Sequence, residues 1–144
     1  MAGLERLVDT KELKTTLWTQ VNERPGLQTF IYYNERVDAL TLLIVPRETR
    51  KRVHYIDDHV ALLYDPQTME VIGIRVESFQ RSFLPKYAEL EKAWSLKDKG
   101  IQLNDFGDLV IAVNRVRPRV VEVLSTITGD LAEKRGLKLE PVVA

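Results

Sequence analysis

Cysteine is absent from the 144 residues. That removes disulfides, thiolate nucleophiles and thiolate metal ligands at once. Histidine is scarce, with two copies, so imidazole chemistry has one address at most. Neither sign of charge predominates: Lys plus Arg and Asp plus Glu each total 21, for a net charge of zero. No global field is available to hold a polyanion, and a nucleic-acid contact would need a local patch. Long apolar runs are missing as well. The longest holds five residues, Leu109 to Val113, against about twenty for a bilayer span. Met1-Ala2-Gly3-Leu4-Glu5-Arg6 shows no cationic region leading into an apolar core, as a secretory leader would. A cytoplasmic protein with no membrane association is the expectation.

Catalytic signatures are missing too. The seven glycines form neither the Gly-x-Gly-x-x-Gly turn nor a phosphate loop. Ser78, Ser82, Ser95 and Ser125 stand in no nucleophile elbow. No cofactor is expected, and the balance leans away from an enzyme.

What the chain does contain is β-hairpin patterning. Thr29-Phe30-Ile31-Tyr32-Tyr33 and Ala39-Leu40-Thr41-Leu42-Leu43-Ile44-Val45 flank the turn Asn34-Glu35-Arg36-Val37-Asp38. Val60-Ala61-Leu62-Leu63-Tyr64 and Val71-Ile72-Gly73-Ile74-Arg75-Val76 flank Asp65-Pro66-Gln67-Thr68-Met69. Short β-rich runs joined by polar turns read as hairpins. The predicted strands are 28–34, 38–46, 59–65 and 70–79. The second is apolar on both faces and belongs at the centre; the fourth alternates, with Arg75 and Glu77 on its polar side.

Helices bracket the hairpins. Asp9 with Glu12 suggests a capping box, and Val8 with Leu13 a hydrophobic staple, for a helix ending at Arg24-Pro25-Gly26. Leu13, Leu17 and Val21 would form its buried stripe, widened by Trp18. Phe83, Tyr87, Leu90 and Trp94 recur at helical spacing over 83–97, with Ser82 as cap. Leu109, Val113, Val116, Val120, Val123 and Ile127 follow a four-three rhythm, the seam of one helix bent at Pro118 or of two helices meeting there. It would pack on the first helix or, as its length favours, on a second copy. The β-branched run 109–113 argues for a strand instead. Gly136 closes the helix, and the tail to Ala144 reads as extended or disordered. The expected fold is α+β, one domain over 1–144: a four-stranded antiparallel sheet of two hairpins (core 28–80), with an N-terminal helix and a helical C-terminal part (83–136) packed on it.

Candidate sites are few. His54, Asp57, Asp58 and His59 gather two imidazoles and two carboxylates within six residues, the donor types of a divalent-metal site. Residues 54 and 59 of an extended chain project oppositely, however, and paired aspartates suit a turn entering a strand. The reading is no metal site here. Arg47, Arg50, Lys51 and Arg52 make a basic connection, and Arg115, Arg117 and Arg119 a second basic stretch. Without interleaved aromatics neither is expected to bind nucleic acid specifically. Asp38 is assigned a structural part, its carboxylate bonding turn amides.

Two motifs carry a resemblance. Tyr33-Asn34-Glu35-Arg36-Val37-Asp38-Ala39-Leu40 and the strand Val71-Ile72-Gly73-Ile74 resemble a small prokaryotic family of unknown function, with a Tyr-x4-Asp-Ala-Leu hairpin and a Val-x-Gly-Ile strand. The resemblance covers about 28–80 and implies a hairpin core without an activity. The chain departs from that pattern in lacking a glycine in the second turn, and in Arg75 where an acid often follows Gly-Ile. The functional expectation is a non-catalytic interaction or regulatory protein, a homodimer through the Leu109–Ile127 seam and open to another protein partner. The alternative is a metal-dependent enzyme or small-ligand binder using His54, Asp57, Asp58 and His59.

Overall fold

Alternating β-formers build two hairpins where the pattern places them. The computed structural model describes residues 8–20, 30–34, 36–46, 48–94, 101–103, 109–111 and 116–140. β1 (Phe30–Asn34) and β2 (Ala39–Leu43) pair antiparallel, with Tyr32 opposite Thr41. The next strand, β3 (Arg52–Tyr55), pairs with β4 (Val60–Tyr64), which pairs with β5 (Val71–Val76). Short strands β6 (Ile101–Leu103) and β7 (Leu109–Ile111) complete one sheet in the order β3-β4-β5-β2-β1-β7-β6. Every pairing is antiparallel.

The two hairpins and the α+β class stand, but the sheet is larger than the four strands expected. β3 starts at Arg52, the last residue of the basic connection, and covers a stretch for which no strand is expected. As an edge strand it leaves Arg52, Val53 and Tyr55 exposed, so it carries no apolar alternation. β2 takes the central position that its two apolar faces demand, with Ala39, Leu40, Leu42 and Leu43 all buried.

One sheet face carries the rows Ile31–Leu42–Ile74–Leu62–His54 and Tyr33–Leu40–Val76–Val60. The aliphatic members and Tyr33 are all within 3% exposure, which makes this the main core. Phe79 packs against Tyr33 with the rings tilted by 59° and their centres 6.0 Å apart, and Thr10 bonds His54. The segments at Thr10 and Phe79 therefore lie on this face.

The expected first helix is broken. A 3-10 turn, Thr10–Glu12, capped by Asp9 through Lys11 N, gives way to extended backbone at Leu13. Lys14 then bridges Glu70 in parallel, with Lys14 N donating to Met69 O and Val71 N to Lys14 O, each at 2.8 Å. Only Thr16–Gln20 (α1) is α-helical. Sheet hydrogen bonds have overridden the local capping signal. Val21 lies outside the described residues.

The second helical run starts earlier than its aromatic stripe suggests: a π turn at Phe79–Phe83, a 3-10 turn at Leu84–Lys86, then α2 (Ala88–Trp94). Ser82 does not cap it. In the last third, Leu109 sits in β7, so the helical reading of that residue gives way to a strand, as its β-branched neighbours favour. Val113 lies outside the described residues. α3 runs Val116–Glu133, with Pro118 in the first turn, where no intrahelical amide bond is lost. At its other end Gly136 takes φ 87°, and Leu137 N returns to Ala132 O at 3.1 Å, a glycine-closed C-terminus.

The tail is docked through residue 140. Leu137 and Leu139 are buried, and Trp18 Nε1 donates to Glu140 O at 2.6 Å. Gly129 makes that contact possible, since a Cβ there would stand 2.7 Å from Leu139 O.

Candidate functional site

Side chains on one sheet face come from every second residue of each strand, so register decides which distant positions meet. On the face opposite the main core two rows run across the sheet. Phe30–Leu43–Gly73–Leu63–Val53 is apolar, and Leu43 and Leu63 close over Gly73. The next row is Tyr32–Thr41–Arg75–Ala61–Tyr55. It places Arg75 and Tyr32 on inner strands of the sheet and Tyr55 on the edge strand β3.

Around Thr41 and Arg75 lies a cavity of about 300 Å³, walled by Tyr32, Asn34, Val37 and Lys51. Ala39 and Leu43 also line it. Arg75 Nε is buried without a hydrogen-bond partner among the described residues. Its ion pair to Glu77 Oε2 spans 3.6 Å, longer than a hydrogen bond. Glu77 Oε2 is engaged elsewhere, by a short hydrogen bond from Tyr55 OH. Fully buried Ala61 separates those two strands, and its small side chain lets Tyr55 reach across. The bond to Glu77, then burial, raises the Tyr55 phenol above its ordinary value.

A second concavity of about 370 Å³ opens between α2 and α3. Tyr87, Ala88, Val123 and Ile127 supply its apolar surface, and Lys86 and Glu122 also line it. The core stripe of α3 is Val121, Leu124, Thr128 and Ala132. The expected seam is thus displaced by about one position: Val123 is buried at 7% exposure and Ile127 is half-buried against the core. The side chains of Val116 and Val120 lie outside the described residues.

The four metal candidates are not gathered into a site. His54 ends a core-facing row, joined to Thr10 Oγ1 by a 2.7 Å hydrogen bond. Burial, then the Arg135 guanidinium, pushes its imidazole below the ordinary value against the opposing pull of Asp9. Asp57, Asp58 and His59 lie in the bend between β3 and β4, where Asp57 Oδ1 accepts from Asp58 N and His59 O from Glu77 N. Among the described residues no three His, Asp or Glu side chains form a group that could hold a metal ion.

Asp38 does bond turn amides, but distant ones. Its carboxylate accepts from Tyr33 OH at 2.7 Å, Gln80 N at 2.8 Å and Arg81 N at 3.1 Å. It caps the π turn from 42 residues away. Burial alone would push the carboxyl up; the bonds from Tyr33, Gln80 and Arg81 outweigh it and hold the group below its ordinary value. Asp38 reaches these amides from the left-handed region, at φ 52°, which aspartate tolerates better than most residues. The turn after β4 contains a more strained case, Met69 at φ 66°, a conformation glycine takes at least cost.

Of the basic connection, Arg50 and Arg52 are exposed, Lys51 lines the cavity, and Arg47 lies outside the described residues. Arg75 and Lys51 were each legible as charged positions. Their convergence with Tyr32 and Thr41 depends on strand order, for which the sequence holds no signal. Comparison with family models, curated proteins and solved structures finds no match to this chain. Among the described residues no helix is long and apolar enough to cross a membrane.

Proposed function

We propose that this is a non-catalytic interaction protein that self-associates through the face formed by α2 and α3. The observation that carries the reading is the groove between those helices. Val123 and Ile127, two members of the four-three rhythm, line it beside Tyr87 and Ala88. A two-fold axis makes such a surface self-complementary. Lys86, Glu89 and Glu122 also line the groove, so it carries charges of both signs, which a second copy can pair with its own. The resemblance of 28–80 to the family of unknown function enters only as a shared hairpin core.

Sedimentation of the wild type and of Thr126→Arg tests this. Thr126 lines the groove and is exposed, so a long cation there obstructs docking without disturbing the core. The wild type should sediment as a dimer at tens of micromolar. Thr126→Arg should be a folded monomer, its interface association weakened by about tenfold or more. A monomeric wild type, or a variant that remains dimeric, contradicts the reading.

A further inference from the structure

We propose that the cavity around Arg75 binds a small organic carboxylate. This rests on a different face from the self-association surface. Its volume of about 300 Å³ lies at the small end of ligand pockets. Its chemistry is divided. Arg75 and Lys51 bring positive charge to its lining, while Val37, 59% exposed, and Tyr32 bring apolar surface.

An arginine fork matches the two oxygens of a carboxylate, and Arg75 enters the cavity with a buried Nε that no described residue satisfies. Glu77 holds the guanidinium only loosely, at 3.6 Å, while accepting from Tyr55. It orients the arginine, whose side chain remains 38% exposed where it lines the cavity. Lys51 adds a second positive charge at the wall, and Thr41 and Asn34 add neutral polar atoms. Val37, Ala39 and Leu43 offer no donors. A tetrahedral phosphate needs donors on all sides, whereas a carboxylate attached to a small apolar body needs them on one. The divided lining favours the second. Because Thr41 and Arg75 are opposed on neighbouring strands, the polar centre is fixed by backbone pairing and not by a loop.

Amide chemical shifts followed during titration with benzoate, with inorganic phosphate as the comparison, test the assignment. Benzoate should give saturable shifts centred on 39–43 and 73–76, with a dissociation constant of about 1 mM or tighter, within reach of a rigid ligand of this size. Arg75→Gln, folded by its spectrum, should weaken binding by about tenfold or more. Lys51→Gln should weaken it less. Thr126→Arg should bind as the wild type does, so the two proposals fail separately. Three results overturn the assignment: no saturation by benzoate, saturation untouched by Arg75→Gln, or phosphate binding as tightly as benzoate.

Discussion

Trp18→Ala is expected to lower the stability of the protein by about 3–5 kcal/mol, the cost of removing a large buried aromatic. Trp18 is fully buried although it belongs to a helix of only five residues. A helix that short has no stability of its own in water, so its position depends on the side chain it inserts. The indole also donates through Nε1 to Glu140 O and so ties the C-terminal tail to α1. Replacement should release both segments together. The check is denaturant unfolding of Trp18→Ala beside Trp18→Phe, which keeps most of the ring's burial but loses the donor. The phenylalanine variant should lose only about 1–2 kcal/mol from the missing hydrogen bond. Hydrogen exchange should rise at Leu137 and Leu139 in both. A cost below about 1 kcal/mol for alanine would mean that residue 18 is not a core position.

Gly73→Ala is expected to destabilise by about 1–3 kcal/mol, as overpacking does. The usual effect of stiffening the unfolded chain runs the other way, by about 0.4–1 kcal/mol. Contact decides the sign. A Cβ at Gly73 would stand 2.6 Å from Leu43 Cδ2, 2.7 Å from Leu42 O and 3.2 Å from Leu63 Cδ1. The leucine tips can rotate away, but the carbonyl belongs to central strand β2 and cannot. Comparing Gly73→Ala, Leu43→Ala and the double variant by unfolding separates the two clashes. The double variant should cost less than the sum of the singles, because residues in contact couple. Strict additivity would show that the backbone carbonyl alone opposes the methyl group.

The contrast between β2 and β3 shows what patterning reveals. Strands packed on two sides must be apolar on two sides, so β2 announces both its conformation and its central place. An edge strand has no such obligation. Arg52-Val53-His54-Tyr55 is held by pairing with β4, a partner that periodicity in its own segment cannot disclose. The region around Asp9 illustrates a different limit. The cap is real but serves a three-residue turn, because the backbone bonds Lys14 N to Met69 O and Val71 N to Lys14 O outweigh continuation of the helix. At Leu109 a seven-residue rhythm and β-branched composition point opposite ways, and composition prevails where a neighbouring strand accepts the pairing. The Arg75 cavity is the least legible feature. Its parts come from residues 32, 41, 51 and 75, and only the register brings them together.

Because the chain has no cysteine, self-association through the α2/α3 face can be measured with single introduced thiols. Single-cysteine variants Thr126→Cys and Val37→Cys place one thiol in the helical groove and one beside the sheet-face cavity. Treatment with a short bismaleimide, followed by denaturing electrophoresis, reads which face meets its copy. A rapid covalent dimer from Thr126→Cys, with Val37→Cys remaining monomeric, is the expected result. Preferential cross-linking through Val37→Cys, or equal slow reaction at both positions, would contradict the account.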